Sequence, residues 1–363
     1  MKSFNIGDLT IPIPVIQGGM GVGISLSGLA SAVANMGGIG VISTVGIGLI
    51  YPTQNSNYKK SNIDAIRNEI RKAREQTSGV LGVNIMSVIT NFADMVRTSI
   101  EEGIDIIFAG AGLPLDLPKY LEEGKQTKLV PIVSSARAAS IICHKWKQNY
   151  DYLPDALVVE GPKAGGHLGF KAEALEDESN KLEHLVDDTV KVAIEIKNKY
   201  NKDMPVIAAG GIYSGADMFQ FIQRGASAVQ LGTRFVATRE CDASVKFKEA
   251  FVKAVNKDIQ IIKSPVGMPG RSLFNRFLRE ASEGKRKPKV CPYHCIKSCN
   301  PKTTSYCIAK ALVAAYQGNL EDGFAFTGVN AEKVKKISTV RKVFNNLKKE
   351  YLYARKASLK AVF

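Results

Sequence analysis

The chain is built on a repeating alternation of polarity. Short runs of apolar, often β-branched residues end in glycine- or serine-bearing turns, and each is followed by a longer stretch whose apolar residues recur at helical spacing. Ile13–Ile16 predicts a first strand, ending in Gln17-Gly18-Gly19-Met20-Gly21, with a helix over Leu26–Asn35 behind it. Gly38–Ile42 predicts the second, and the polar loop Tyr51–Lys60 leads to an amphipathic helix near Ile63–Gln76. Val80–Ile85, Asp105–Phe108 and Leu129–Val133 predict the third to fifth strands, with helices over Phe92–Glu102, Leu117–Glu123 and Ala136–Lys147. Ala156–Glu160, Pro205–Ala208 and Ala228–Leu231 complete the series, with helices over Leu182–Tyr200, Gly215–Arg224 and Ala243–Val255.

Eight strand–helix units with mostly short connections predict an α/β chain folded as a (β/α)₈ TIM barrel. A doubly wound open sheet would place an acidic residue about twenty positions after its first glycine-rich turn. Here that region carries Gly38 and Gly40 instead. In a barrel the C-terminal ends of the strands share one face, and chemistry sits there. The special residues of this chain fall at those ends: Gly18 and Gly19, Asn84, Ser135, His167, Gly210 and Gly211, Gly232 and Thr233. Unrelated turn glycines would be spread equally over the opposite face.

The chain has 363 residues, of which 45% are hydrophobic. That is enough for a barrel of about 250 residues and an extension. The expected division is a barrel over residues 1–260 and a basic, helical, cysteine-containing extension over 261–363. No run of 18 or more apolar residues occurs, which argues against a membrane span. The first residues lack an apolar signal core, so a cytoplasmic location is expected. The net charge of +15 is concentrated at one end: from Ser244 to Phe363 there are 25 Lys and Arg against 8 Asp and Glu. An acidic partner or a solvated face would account for it. The basic residues lack the interleaved aromatics of a stacking platform, which argues against nucleic acid.

The stretch that organises the rest is Val158-Val159-Glu160-Gly161-Pro162-Lys163-Ala164-Gly165-Gly166-His167-Leu168-Gly169. An apolar strand runs into glycines that let a flat group approach the main chain, and His167 offers an imidazole that titrates near neutrality. The plainer reading is a tight turn with a solvated histidine. Barrels commonly bind phosphate with the loops after strands seven and eight, where backbone N–H groups and a helix N-terminus meet the anion. Those loops carry Gly210-Gly211 and Gly232-Thr233 here, which would otherwise be ordinary strand ends. A phosphate there leaves the ligand's body over the barrel mouth, where Gly18-Gly19-Met20 and Gly165-Gly166 could floor or flank a flat ring and Asn84 offer an amide.

Five segments, in order, resemble the nitronate monooxygenase family: Ile16-Gln17-Gly18-Gly19-Met20-Gly21, Gly82-Val83-Asn84-Ile85-Met86, Ala164-Gly165-Gly166-His167-Leu168-Gly169, Ala208-Ala209-Gly210-Gly211-Ile212 and Val229-Gln230-Leu231-Gly232-Thr233-Arg234-Phe235. They are equally similar to the related FMN-dependent enoyl-acyl-carrier-protein reductases. The resemblance implies a TIM barrel with non-covalent FMN. Gly18, Gly19, Met20 and Asn84 would line the isoalloxazine, Ala164, Gly165 and Gly166 would pack near it, and Gly210, Gly211, Gly232 and Thr233 would hold the phosphate. His167 would be catalytic, in oxidation of a nitronate by oxygen to a carbonyl compound and nitrite. The family often carries glutamate immediately before Ala-Gly-Gly-His, where this chain has Lys163. A cation there would favour an anionic substrate or the reduced flavin; a solvated lysine is the plain alternative.

After the barrel, Lys263–Arg271 reads as a loop-rich crossing followed by helices. Cys291, Cys295, Cys299 and Cys307 cluster in this region, the first three on one face if the segment is helical. Their spacing matches neither CxxC zinc pairs nor common ferredoxin runs, so a zinc ion, an iron–sulfur cluster and free thiols all stay open and no metal ligands are assigned. Cys143 and Cys241 read as packing residues, and His144, His184 and His294 as surface or structural. Ala309–Ala315 and the segment Gly318–Gly328 could fold back over the mouth as a lid, with Met268, Phe324 and Phe326 as apolar contacts. Phe170–Asn180 is a second lid candidate. Three functions compete: oxidation of a nitronate, NAD(P)H-dependent reduction of an enoyl thioester with an acidic carrier protein docked on the basic extension, and a flavin- or metal-binding redox sensor. A homodimer is left open.

Overall fold

The computed structural model describes residues 1–51, 57–121 and 126–360. Eight parallel strands form its centre: β1 (Val15–Gln17), β2 (Gly40–Ser43), β3 (Leu81–Met86), β4 (Ile106–Gly110), β5 (Lys128–Val133), β6 (Leu157–Glu160), β7 (Val206–Ala209) and β8 (Ala228–Leu231). Successive strands pair in parallel from β2 to β8, and β8 pairs with β1, Val229 opposite Val15. The ring closes through a bridge between Ile16 and Ile39, where the Gln17 N–H donates to the Ile39 carbonyl at 3.0 Å. This is the expected (β/α)₈ barrel, with strand limits within two residues of those read from the polarity pattern.

Side-chain alternation explains why the strands need both faces apolar. Ile16, Val41, Phe108, Val130, Val158 and Ile207 fill the interior, while Val83, Ile107, Leu129, Val159 and Val229 pack outward against the helices. An antiparallel hairpin, Phe4–Ile6 with Leu9–Ile11, plugs the end where the strands begin by placing Ile6 and Ile11 in the interior cluster. Burying each isoleucine stabilises by roughly 1.5–3 kcal/mol. The first helix, Ser27–Asn35, is capped from far along the chain. The Asp242 carboxylate accepts from the N–H groups of Leu26, Gly28 and Leu29 at 2.7, 3.1 and 3.1 Å. Burial pushes its pKa up to about 6, against the pull of those donors. The predicted helix over Leu117–Glu123 is a 3₁₀ turn at Leu117–Tyr120, and its remainder reaches residues outside those described, as does the loop Tyr51–Lys60.

Two expectations for the extension are corrected. The Lys263–Arg271 crossing is a β-hairpin: Ile259–Lys263 pairs antiparallel with Pro269–Leu273, turning through Gly267 at φ +89°. Prolines on either side of the turn hid the alternation. The cysteine segment is not helical; residues 284–307 contain no helix or strand, because Pro292 and Pro301 interrupt it and His294 sits at φ +45°. Helices do follow, at Ile308–Tyr316 and Val340–Lys360. The last packs on the helix Gly215–Gln223 so closely that a Cβ at Gly215 would lie 2.1 Å from the Leu347 carbonyl oxygen. Phe277, Phe324, Phe344 and Leu347 belong to the same continuous cluster as the barrel's outer layer. No helix among the described residues is long and apolar enough to cross a membrane.

Candidate active site

The C-terminal tips of the strands open into one cavity of about 280 Å³. Gly18, Gly19 and Met20 line it from β1, Asn84 from β3, Gly210 and Gly211 from β7, and Gly232 and Thr233 from β8. Ala164, Gly165, Gly166 and His167 reach it from the loop after β6. Every residue singled out from the sequence as catalytic or cofactor-binding therefore borders a single space. The tips meet closely: a Cβ on Gly19 would stand 2.3 Å from the Asn84 Cβ, so any larger residue would displace that amide.

At the β7–β8 side the wall is main chain. Gly210 and Gly211 lie at φ +93° and +89°, and the N–H groups of Gly211, Gly232 and Thr233 have no acceptor among the described residues. Unpaired N–H donors converging without side chains between them suit an anion. The extension completes this wall. Gly328 N–H donates to Thr233 Oγ1 at 3.2 Å, and Asn330 Nδ2 donates to the Gly211 carbonyl at 2.7 Å. The nearby helix Gly215–Gln223 does not offer its N-terminus, as barrel precedent would have it. Asp217 accepts from Tyr213 and Ser214 N–H, and Glu350 accepts from Gly215 N–H at 2.7 Å. The free donors belong instead to Gly211 and to the start of the short helix Thr233–Val236, whose N-cap is Gly232.

His167 is held from three sides. With Gly166 it forms a short strand that pairs with Pro269–Leu273, Gly270 opposite His167. Its Nε2 shares a 2.7 Å hydrogen bond with Ser264 Oγ, and its ring lies 4.8 Å from that of Phe326. The buried Arg271 guanidinium donates to the carbonyls of Pro162 and Ala164 at 2.6 and 2.7 Å, fixing the loop before the histidine. Burial pushes the His167 pKa down to about 4. The imidazole is therefore neutral at physiological pH rather than titrating there, because the elements that position it also exclude the water that would solvate its charge.

Ser264, Arg271 and Glu160 were not anticipated. The first two belong to the hairpin read as a loop; Glu160 ends β6 and lines the cavity. Burial pushes its carboxyl up to about 7. Lys163 is exposed at the rim, without an ion pair among the described residues. From the extension, Ile308, Ala309, Leu312, Phe324 and Phe326 line the cavity, while Met268 does not. The loop after His167 does not reach the cavity either; Leu168, Phe170 and Leu175 pack among themselves and on Ala164.

The four extension cysteines border a separate small cavity, with Cys295 shared between the two. They are free thiols, and no group of three or more His, Cys, Asp or Glu side chains among the described residues is arranged to hold a metal. Cys143 and Cys241 are buried. His144 and His184 are exposed, as is His294.

Comparison with known proteins bears on the same constellation. The model of the nitronate monooxygenase family matches residues 2–350. A Mycobacterium tuberculosis protein named (3aS,4S,5R,7aS)-5-hydroxy-7a-methyl-1-oxo-octahydro-1H-indene-4-carboxyl-CoA dehydrogenase is 27% identical over 75% of this chain and 66% of its own. A probable nitronate monooxygenase of Staphylococcus aureus (strain MSSA476) is 26% identical over 76% of this chain and 79% of its own. Among solved structures, FabK from Thermotoga maritima superposes with a TM-score of 0.74 at 29% identity, covering 97% of this chain and 96% of that one.

Proposed function

The chain belongs to the nitronate monooxygenase family, and from that premise we propose that it is an FMN-dependent oxidoreductase that oxidises alkyl nitronates with molecular oxygen to a carbonyl compound and nitrite. One observation carries this reading: a cluster of unpaired main-chain donors at β7 and β8 and a glycine-walled slot at β1 and β3 open into the same cavity. Those two features match the two ends of a flavin mononucleotide. The N–H groups of Gly211, Gly232 and Thr233 would hold the phosphate. Gly18, Gly19, Met20, Gly165 and Gly166 would admit the ring, and Asn84 would meet its polar edge. When bound, FMN supplies the electron-accepting centre for the substrate and the route from it to oxygen.

The chain's own residues do the rest. His167, neutral and tied to Ser264, is competent to accept a proton or hydrogen bond at a nitrogen whose position three elements fix. Lys163 at the rim places a positive charge where an anionic substrate enters. Phe324, Phe326, Ile308 and Leu312 exclude water from the covered side.

A second reading has its own support. The cavity's lining also includes the apolar side chains of Ile24, Val236, Phe247, Phe251 and Leu312, a surface suited to an acyl chain. Together with the basic extension it favours reduction of an enoyl thioester by NAD(P)H, with an acidic carrier protein as partner. Anaerobic mixing of the FMN-loaded protein separates the two. We expect a short-chain alkyl nitronate to bleach the flavin within the mixing experiment, and nitrite to appear once air is admitted. Rapid bleaching by NADH or NADPH with none by nitronate would overturn the first reading in favour of the second.

A further inference from the structure

The six cysteines fall into two kinds. Cys143 and Cys241 are buried in the barrel, the usual place of a cysteine that serves packing. Cys291, Cys295, Cys299 and Cys307 are each half-buried and free, and all four line one small cavity whose other polar side chains are His294 and Thr304. Little else holds their segment in place. Residues 284–307 form no helix or strand, Pro288, Pro292 and Pro301 interrupt any helical run, and Ile296 and Tyr306 are its buried side chains. The loop after β3 fastens the middle: Thr90 N–H donates to the Cys295 carbonyl at 3.1 Å and Lys297 N–H to the Val88 carbonyl at 2.9 Å. Charge sets the segment apart as well. From Gly284 to Lys310 there are seven Lys and Arg and no Asp or Glu.

We propose that Cys291, Cys295, Cys299 and Cys307 ligate an iron–sulfur cluster of the four-iron type, seated in the small cavity. Packing does not explain four sulfurs kept partly open around a shared space, since the thiols that serve packing here are buried outright. Crowded thiolates repel one another, and a ligand set of net negative charge is what a segment of cations without acids stabilises. Neutral thiols would gain nothing from that field. The arrangement also separates the kinds of metal. Zinc needs its sulfurs about 2.3 Å from a single point, and no three His, Cys, Asp or Glu side chains among the described residues converge in that way. A four-iron cluster instead takes one cysteine sulfur at each of four separated corners, so its ligands surround a volume rather than a point. Sulfurs spread around a cavity meet that requirement. Turns set by the prolines take the place of the common motif spacings, because they bring successive cysteines to one cavity without a helix. Cys295 lines the larger cavity as well, which sets a one-electron redox centre beside the proposed flavin site.

The test is anaerobic reconstitution of the full chain with ferrous iron and sulfide, without FMN, followed by desalting and assay of iron, acid-labile sulfide and zinc. We expect about four iron and about four sulfide per chain, and a brown protein whose visible absorption falls when dithionite is added. Cys299→Ser and Cys307→Ser should each retain less than about half of that iron, while Cys143→Ala, away from the cavity, keeps it all. Iron that washes out on desalting overturns the proposal. So does zinc bound in place of iron, or an iron-free protein whose four extension thiols are paired as disulfides. Should a serine variant not fold, the iron and sulfide content of the natural chain decides alone. Because FMN is left out, failure of the flavin reading does not touch this result, and an iron-free protein that still binds FMN leaves that reading intact.

Discussion

At the scale of single residues, burial decides more than residue type. His167 looks like a physiological titrator in the sequence, yet the structure holds its pKa at about 4. Its unfolded value is about 6.5. The unfolded chain therefore binds more protons between those values, so His167's contribution to stability is complete above pH 6.5 and is lost as pH falls towards 4. Imidazole resonances of the natural protein should show no His167 transition between pH 6 and 8; a transition there would contradict the assigned environment. Replacing His167 by alanine should leave flavin bound and lower turnover by about 10²–10⁴-fold, as read from steady-state rates on protein with full flavin absorbance. Unchanged turnover would take His167 out of the mechanism. The histidine was legible because it follows two glycines at a strand end. Its partner Ser264 was not, since it lies 97 residues further on in a segment with no feature of its own.

At the scale of elements, polarity alternation located all eight barrel strands because both faces of each are buried and the connections are short. It failed where geometry replaced periodicity. The Ile259–Leu273 hairpin carries Pro265, Gly267 and Pro269 around its turn, and the cysteine segment looks helical only if its prolines are ignored. The cap on the helix Ser27–Asn35 was equally hidden, since Asp242 reaches it from more than 200 positions away. Asp242→Ala should leave three partly buried N–H groups at the helix start unpaired and cost about 1–3 kcal/mol, measured by denaturant unfolding. A change below about 0.5 kcal/mol would show that water replaces the carboxylate. The phosphate wall can be probed at Gly232, where an added Cβ meets nothing nearer than Met20 Sδ at 3.4 Å and φ is −109°. Gly232→Asp should therefore preserve the melting temperature and weaken FMN binding by at least about 100-fold, through like charge against the phosphate. Undiminished affinity would move the phosphate elsewhere. Gly211 is a poorer probe, because its Cβ would lie 2.8 Å from Lys163 Cβ at a positive φ.

At the scale of the molecule, the extension contributes both to the cavity wall and to the packing around the barrel. It supplies the strand that pairs with Gly166–His167, the Asn330 and Gly328 contacts at the β7–β8 wall, and aromatic residues continuous with the barrel's outer core. Chain ended after residue 260 should accordingly fail to give a cooperative thermal transition by circular dichroism; a soluble, cooperatively melting fragment would show that the barrel stands alone. One cavity gathers the catalytic and cofactor-binding candidates, shaped by strand tips that the sequence scatters over more than two hundred residues. The most direct measurement is a titration of the purified, flavin-free protein with FMN, followed by flavin fluorescence and by the visible spectrum. We predict saturable quenching that ends at one FMN per chain, with a yellow protein after gel filtration. A colourless protein that leaves FMN fluorescence unchanged at every concentration would contradict the account.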